Sequence, residues 1–496
     1  MKITNIMNFV RTFEPRDLEV EKLLFGAAKT ELDLSLEMDL PSTFLLQYDA
    51  LCDERYVELY RAVKDNPKIE LGFWYEVVEP LTSAIGMEYN SKRGYKWDWN
   101  IMPGFAMAYP TEVRVRLIDE AMRKFKEVFG FYPRTVGSWV LDSFTVDHLA
   151  DNYDIDAFLI CRDQINTDAY TMVGGYFSGP YYPSRNNIFT PGREGNRLDV
   201  PVFRLLGADP IHNYDSKKYL SEGARDGVSV YTLEPAAPSG RDPKVIDWFF
   251  DTYYGTESLG LAYTQVGQEN SFANIDLVTP LRLQYESLID RDVTFLTTSQ
   301  TGRLFKEKFN TTPTSSVFAD KNWDTTDTKA LQYDSENYSA NLIWHEGTVA
   351  LRALYLFDDR VEDLYLNNIC DTFDSVHENL PIVDTAYQAG DSDGGIGIIF
   401  DTGAGVLTQK LGEDSVSARY DGKTITFSPD RITVTKCKAY FTPEMINTKI
   451  CLNGNRLDYI YKGHEYALTV SGGEIRQDGQ NFIIEGDEVT LIPTRV

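Results

Sequence analysis

Five apolar runs in the first 270 residues each end on a carboxylate: segments 43–49, 69–76, 135–142, 157–163 and 259–269 close with Asp49, Glu76, Asp142, Asp163 and Glu269. In parallel α/β sheets and barrels, side chains from several strands converge beyond the strand carboxyl ends, and ligands bind there. A ring of acids in that place points to acid/base chemistry. One such chemistry is glycosidic cleavage, in which one carboxyl group protonates the leaving oxygen and a second serves as nucleophile or as base for water.

The five acids differ in neighbourhood. Asp142, in TVGSWVLDSF, ends a run just before a helix, where an Asp either meets substrate or caps the helix N-terminus. Glu269, in GLAYTQVGQENSF, has Tyr263, Gln265 and Gln268 around it. A Glu among aromatics can keep its proton and act as an acid, and its alternative is a solvated loop carboxylate. Asp142 and Glu269 are taken as the catalytic pair.

Asp49 in LLQYDAL and Glu76 in GFWYEVV each follow an apolar run with an aromatic one residue before, which makes them rivals to that pair or holders of sugar hydroxyls. Trp74 shares the second run, and flat amphipathic rings pack on apolar sugar faces. Asp163 is expected at the site or paired with Arg162 or a neighbouring strand end. The segment VPVFRLLGADPIHNYD adds Arg204, Asp209, His212 and Asp215, where a lone His serves as base, ligand, hydroxyl partner or plain loop hydrogen-bonder. The excursion 79–110 carries GYKWDWN, in which Trp97 and Trp99 flank Asp98. A loop this long either walls a cleft or caps the core. The expected substrate-binding residues are therefore Asp49, Glu76, Trp74, Trp97, Trp99, Asp163, Arg204 and His212.

These residues need a frame. Strands are expected over 3–10, 43–48, 69–77, 135–141, 157–161, 200–206, 228–233, 259–266 and 293–297. Helices at 19–37, 55–63, 112–129, 243–253, 275–289 and 301–308 interleave them. Such alternation implies parallel pairing through right-handed crossovers, hence an α/β barrel or partial barrel. Beyond residue 311 the segment TTPTSSVFADKNWDTTDTK has no period. Short alternating runs such as GIGIIFDTG and KTITFSPDRITVTKCKAYF then follow, an all-β sandwich pattern. The expected organisation is a (β/α) barrel catalytic domain over 1–310, a connection over 311–340 and a C-terminal β-sandwich over 341–496.

Composition narrows the partners. The 496 residues carry 48 Lys and Arg against 75 Asp and Glu, a net charge of −27 that opposes nucleic acid and anionic membrane surfaces. No stretch reaches the roughly 18 apolar residues of a membrane helix, and MKITNIMNFVRTFEPR lacks the apolar core of a secretory signal. Five cysteines without CxxC spacing favour reduced thiols, so a cytoplasmic location is expected. With five His and no HxH, HxxxH or HExxH spacing, no metal is expected. No nucleotide-cofactor motif or GxSxG elbow occurs, and no cofactor is expected. Self-association into a homo-oligomer stays open.

The order TFLLQYDAL, IELGFWYE, GFYPRTVGSWVLD resembles the polysaccharide-deacetylase-like (β/α)7 barrel shared by chitooligosaccharide deacetylases and the family 38 and family 57 glycoside hydrolases. The resemblance covers about residues 1–310. It implies a metal site of paired aspartates and two histidines in the deacetylase branch, but here Ala50 follows Asp49, and Trp74 and Glu76 stand where histidines would be. In the hydrolase branches it implies a nucleophile after the fourth strand and, in family 57, an acid near the seventh, places that Asp142 and Glu269 match by strand order. The expected function is a glycoside hydrolase acting on a carbohydrate. A metal-dependent carbohydrate deacetylase and a non-catalytic carbohydrate-binding protein are the alternatives.

Overall fold

The computed structural model describes residues 1–167, 169–207, 209–212, 232–324, 326–385, 397–442 and 450–496. Parallel strands β1 (Lys2–Val10), β2 (Ser42–Leu46), β3 (Ile69–Trp74), β4 (Thr135–Gly137), β5 (Ala157–Cys161), β6 (Val202–Leu205) and β7 (Ala262–Val266) lie in the order β7-β1-β2-β3-β4-β5-β6. This is the expected (β/α)7 barrel, nearly closed. Among the described residues no ladder joins β6 to β7; the Phe203 and Tyr263 rings, 5.1 Å apart, bring the two edges together. A short strand β8 (Thr294–Leu296) pairs with Ile3 to Asn5 of β1, while β2 takes Ile6 to Val10, so two strands share one edge of β1.

Alternation along the strands divides their side chains. Ile3, Met7, Phe9, Leu45, Leu159 and Phe203 fill the barrel interior, whereas Val10, Phe44, Leu46, Leu71, Phe73 and Phe158 pack under the outer helices. Burial on both faces is why these strands read as unbroken apolar runs. The outer layer holds α1 (Leu24–Glu37), α2 (Glu54–Arg61), α3 (Thr111–Phe129), α4 (Ser143–Asn152), α5 (Pro243–Phe250), α6 (Val278–Asp290) and α7 (Thr298–Lys308). In α3, Arg114, Leu117, Ile118, Ala121, Met122 and Phe125 recur at helical spacing on the buried face. Among the described residues no helix is long and apolar enough to cross a membrane.

The C-terminal part is a large antiparallel sheet running from Ser315–Ala319 to Asn481–Arg495. It folds over one core as a sandwich: Tyr333 stacks on Phe427 at 5.8 Å, and the Tyr338 hydroxyl donates to Ser428 O at 2.7 Å. Its strands begin inside the stretch expected as a connection, since Ser315–Ala319 and Thr328–Asp334 already pair. Thr- and Ser-rich strands have weak apolar alternation and look like loop. Of the strand expected over 228–233, residues 228–231 lie outside the described residues, as does Asp215, while Thr232 and Leu233 are not in a strand.

One excursion of the β unit returns to the barrel. Ser375–Glu378 pairs in parallel with Tyr170–Val173 of the hairpin after β5, Ile101 N donates to Phe373 O at 2.9 Å, and Cys370 N donates to Met107 O at 2.8 Å. The loops over the barrel mouth are thereby tied to the sandwich.

Candidate active site

A cavity opens beyond the carboxyl ends of β1, β3, β4 and β7, and it is built outward from their last residues. β7 ends at Val266, and Gly267 adopts φ 132°, a left-side conformation in which a Cβ would overlap the Met7 carbonyl oxygen of β1. Only glycine lets this turn lie against β1. The ladder then continues: Gln268 N donates to Asn8 Oδ1 at 3.0 Å, and Phe9 bridges Glu269. Asn270 clasps the next β1 position, accepting from Arg11 N at 3.1 Å and donating to Arg11 O at 2.9 Å. Gly267→Ala is expected to lower stability by about 3 kcal/mol or more in a urea titration, because backbone rather than a flexible side chain must yield.

Arg11, fixed in this way, is almost wholly buried. Its guanidinium lies 2.9 Å from Glu14, 3.5 Å from Glu269 and 3.9 Å from the centre of the Trp97 ring. Glu14 also receives Arg16, at 2.6 Å through Nε and 2.7 Å through Nη2. Burial works against ionising Glu14, but Arg16 and Arg11 outweigh it and hold the carboxyl below its ordinary value.

Glu76 faces the same cavity from β3. Its Oε2 accepts from Trp97 Nε1 at 2.6 Å and from Gln47 Nε2 at 3.0 Å, and the Trp74 indole also favours the carboxylate. Burial pushes its pKa up to about 7, against the pull of Arg11 and of the indole donors, and the nearby Glu269 charge adds to the rise. Trp97→Phe removes one donor to the carboxylate, so the Glu76 pKa should rise further; carboxyl titration followed by infrared spectroscopy measures it.

The cavity has two adjoining hollows. The larger, about 140 Å³, is lined by Arg11, Arg16, Glu76, Trp97, Trp99, Glu234 and Glu269, among others. The smaller, about 40 Å³, is lined mainly by Met7, Phe9, Leu45, Trp74, Leu205 and Val266. Trp139, Leu206, Glu234 and Glu269 belong to both. Phe9 stacks on Trp74 at 4.1 Å, and half-buried Trp139 meets both rings edge-on at 5.2 and 5.4 Å. Leu206, on the shared wall, has φ 72°, a conformation a non-glycine residue holds at a cost of about 1–3 kcal/mol.

Of the expected residues, Glu76, Glu269, Trp74, Trp97 and Trp99 are brought to this cavity. Asp142 is not among its lining residues. Asp142 is the N-cap of α4, accepting from Thr145 N at 3.1 Å and Thr145 Oγ1 at 2.7 Å, and it is paired with Arg114 at 2.9 Å. Arg114 also donates to the carbonyls of Tyr109, Met107, Tyr365 and Asn368. With both charges buried, Arg114→Met should cost about 3–5 kcal/mol in a denaturant titration by leaving Asp142 uncompensated.

Asp49, which lines neither hollow, accepts from Thr12 N and Oγ1 at 2.6 and 2.7 Å, and burial raises its pKa despite these bonds. Asp163 pairs with Arg204 and accepts from Gly175 N at 2.9 Å, which braces the hairpin after β5. His212 lies 3.0 Å from Asn322 Oδ1 and, like Asp163 and Arg204, lines neither hollow. Asp209 accepts from Ile211 N and His212 N at 2.8 and 2.9 Å, holding that turn. Among the described residues no three His, Cys, Asp or Glu are gathered to hold a metal ion.

Arg11, Arg16, Trp139 and Glu234 were not singled out by the sequence. Arg11 directly follows an apolar strand, as the chosen acids do, so the same rule extended to cations would find it. Trp139 lies three residues before Asp142, and Glu234 directly follows an expected strand.

No family model matches the chain, nor does any curated protein. Solved structures do resemble it. One, a protein of Parabacteroides distasonis provisionally assigned as a glycoside hydrolase/deacetylase, is 13% identical with a TM-score of 0.52, over 76% of this chain and 90% of that one. A Mycobacterium smegmatis protein provisionally assigned as a polysaccharide deacetylase is 13% identical with a TM-score of 0.37, over 62% and 90% of the two chains. A GH57 branching enzyme of Thermococcus kodakaraensis is 12% identical with a TM-score of 0.34, over 62% and 71%. The likeness to the first is one of fold alone.

Proposed function

We propose that the chain is a carbohydrate-active enzyme, and specifically a glycoside hydrolase, with Glu76 as general acid and Glu269 as nucleophile or as base for water. The observation that carries this reading is a pair of carboxyl groups on one cavity with unlike neighbours, Glu76 buried under indole donors and Glu269 beside a guanidinium. Burial keeps the proton on Glu76 up to about pH 7, while Glu269 has the Arg11 guanidinium 3.5 Å away, a partner for a carboxylate. A raised pKa suits Glu76 to donate a proton, and a guanidinium neighbour suits Glu269 to work as the carboxylate. The roles differ from the sequence expectation: Glu269 supplies the charge rather than the proton, and Asp142 serves the fold.

Arg11 acts as a positioning residue, holding Glu269 and Glu14 while its flat face packs on Trp97. Trp97 in turn donates to Glu76, so one indole links the acid to the cation that orients its partner. Trp99 and Trp139 offer ring faces for a sugar. Residues 1–310 are taken as the catalytic part, and a carbohydrate as its substrate.

The test is incubation with a panel of 4-nitrophenyl α- and β-glycosides and unmodified oligosaccharides, with products separated by chromatography. Release of a reducing sugar or nitrophenol, lost in Glu269→Gln, supports the reading. Release of acetate from acetylated oligosaccharides with no bond between sugars broken overturns it in favour of a deacetylase. Binding without any product would leave a carbohydrate-binding protein instead.

A further inference from the structure

The smaller hollow does not suit a plain hexose. Its walls are apolar, yet it adjoins the charged hollow through Trp139 and Glu269, so a ligand reaching both must carry an apolar group beside a polar ring. Size limits that group. A 150 Å³ cavity accepts benzene, and the hollow here is about 40 Å³, which leaves room for a methyl or acetyl group and none for an aryl or long alkyl one.

Glu234, Gln265, Gln268 and Glu269 interrupt the apolar wall, and Gln268 is already bonded to Ala236 N and Glu234. Gln265, inward on β7 and 6% exposed, brings a carboxamide whose Oε1 has no hydrogen-bond partner among the described residues. A buried carboxamide oxygen without a partner calls for an explanation, and an amide N–H is a donor of the kind that would meet it. A deoxysugar methyl would fill the space but leave the amide unmet. Water would satisfy the amide but not the apolar wall.

We propose that the sugar bound beside Glu269 carries an N-acyl group of acetyl size, its methyl in the small hollow and its N–H or carbonyl on the Gln265 carboxamide. Gln265 is then a specificity-determining residue. This rests on the proposed reading in taking a sugar ring as the occupant of the larger hollow.

The experiment is calorimetric titration of the full chain with N-acetylglucosamine, N-acetylgalactosamine and N-acetylmannosamine, each against its parent hexose and against the 6-deoxy sugars fucose and rhamnose. At least one acetamido sugar should bind about tenfold or more tightly than its parent, a range that one small apolar group and one amide contact can supply. Gln265→Leu, which keeps much of the shape without the amide, should shrink that ratio, and Leu205→Phe, an interior substitution that fills the hollow, should abolish it. Equal binding of acetamido and parent sugars, tighter binding of a 6-deoxy sugar, or no binding of any acetamido sugar at millimolar concentration overturns the proposal. Hydrolysis of glycosides without acetamido preference overturns this inference alone. Acetamido preference without hydrolysis overturns the hydrolase reading and leaves the specificity of the hollow standing.

Discussion

Glu269→Gln is expected to lower kcat/KM by at least about 10³-fold on every glycoside the enzyme accepts, whatever the leaving group. The group that meets the anomeric carbon, or the water attacking it, is needed in the transition state for good and poor substrates alike. The fold should survive the change. Arg11 loses a partner at 3.5 Å but keeps Glu14 at 2.9 Å, so its buried charge is not abandoned. The Phe9 bridge and the Asn270 clasp are backbone features or belong to another residue. A glutaminyl variant with unchanged circular dichroism and full activity would remove Glu269 from the chemistry. A truncated variant, Glu269→Ala, gives a further reading: added azide, a small anionic nucleophile, should restore turnover of an activated aryl glycoside and yield a glycosyl azide.

The frame of this site was legible because parallel strands covered on both faces are continuous apolar runs, and their acids stand where the runs stop. Ala157–Cys161 matches its expected limits, and Ile69–Trp74 ends three residues before the expected close. The structure has Glu76 two residues beyond the end of β3 and lining the cavity. The same rule misplaced Asp142. The run TVGSWVL looks like one strand, but the ladder stops at Gly137, and the chain then turns toward α4. Five residues of extra chain carry Asp142 away from the mouth and onto Arg114, whose position on α3, 28 residues earlier, no local spacing reveals. Trp139, lying in that turn, takes the place at the cavity that the acid was expected to hold.

Pairing across distant segments was legible only in part. Asp163 pairs with Arg204 across the ends of adjacent strands β5 and β6, the neighbouring strand end that the sequence offered as one alternative, though nothing in either segment selects a braced pair over a substrate clamp. Trp97 was legible as a cleft residue from its loop, but its bond to Glu76 was not, because that bond depends on the 79–110 excursion folding back over β3. The sandwich excursion that pins Met107 and the hairpin strand Tyr170–Val173 comes from more than 200 residues further along the chain. A domain boundary drawn from composition hides such a contact.

Glu76→Gln separates the acid role from every other. With the Glu76 pKa near 7, the wild-type kcat/KM should fall above about pH 7 as the proton is lost, and the glutaminyl variant should have no such limb. Its rate should drop by about 10²–10⁴-fold on oligosaccharides, whose leaving oxygen needs a proton. On 2,4-dinitrophenyl glycosides, whose leaving group departs as an anion, the loss should be slight. A uniform loss across leaving groups, or an alkaline limb that persists in the variant, would refute the assignment. Stability provides an independent check with a definite sign. The folded-state pKa lies above the ordinary value of 4.5, so the folded protein holds this proton more tightly than the unfolded chain does. The contribution is fully present below about pH 4.5 and is lost as pH rises through 7, amounting to about 3 kcal/mol at its limit. Urea titrations at pH 5 and pH 8 should therefore show wild-type stability falling relative to Glu76→Gln as pH rises, since a buried amide has no charge to acquire. A gap that is unchanged or narrows in the opposite direction would mean that Glu76 is ionised in the fold and cannot be the proton donor.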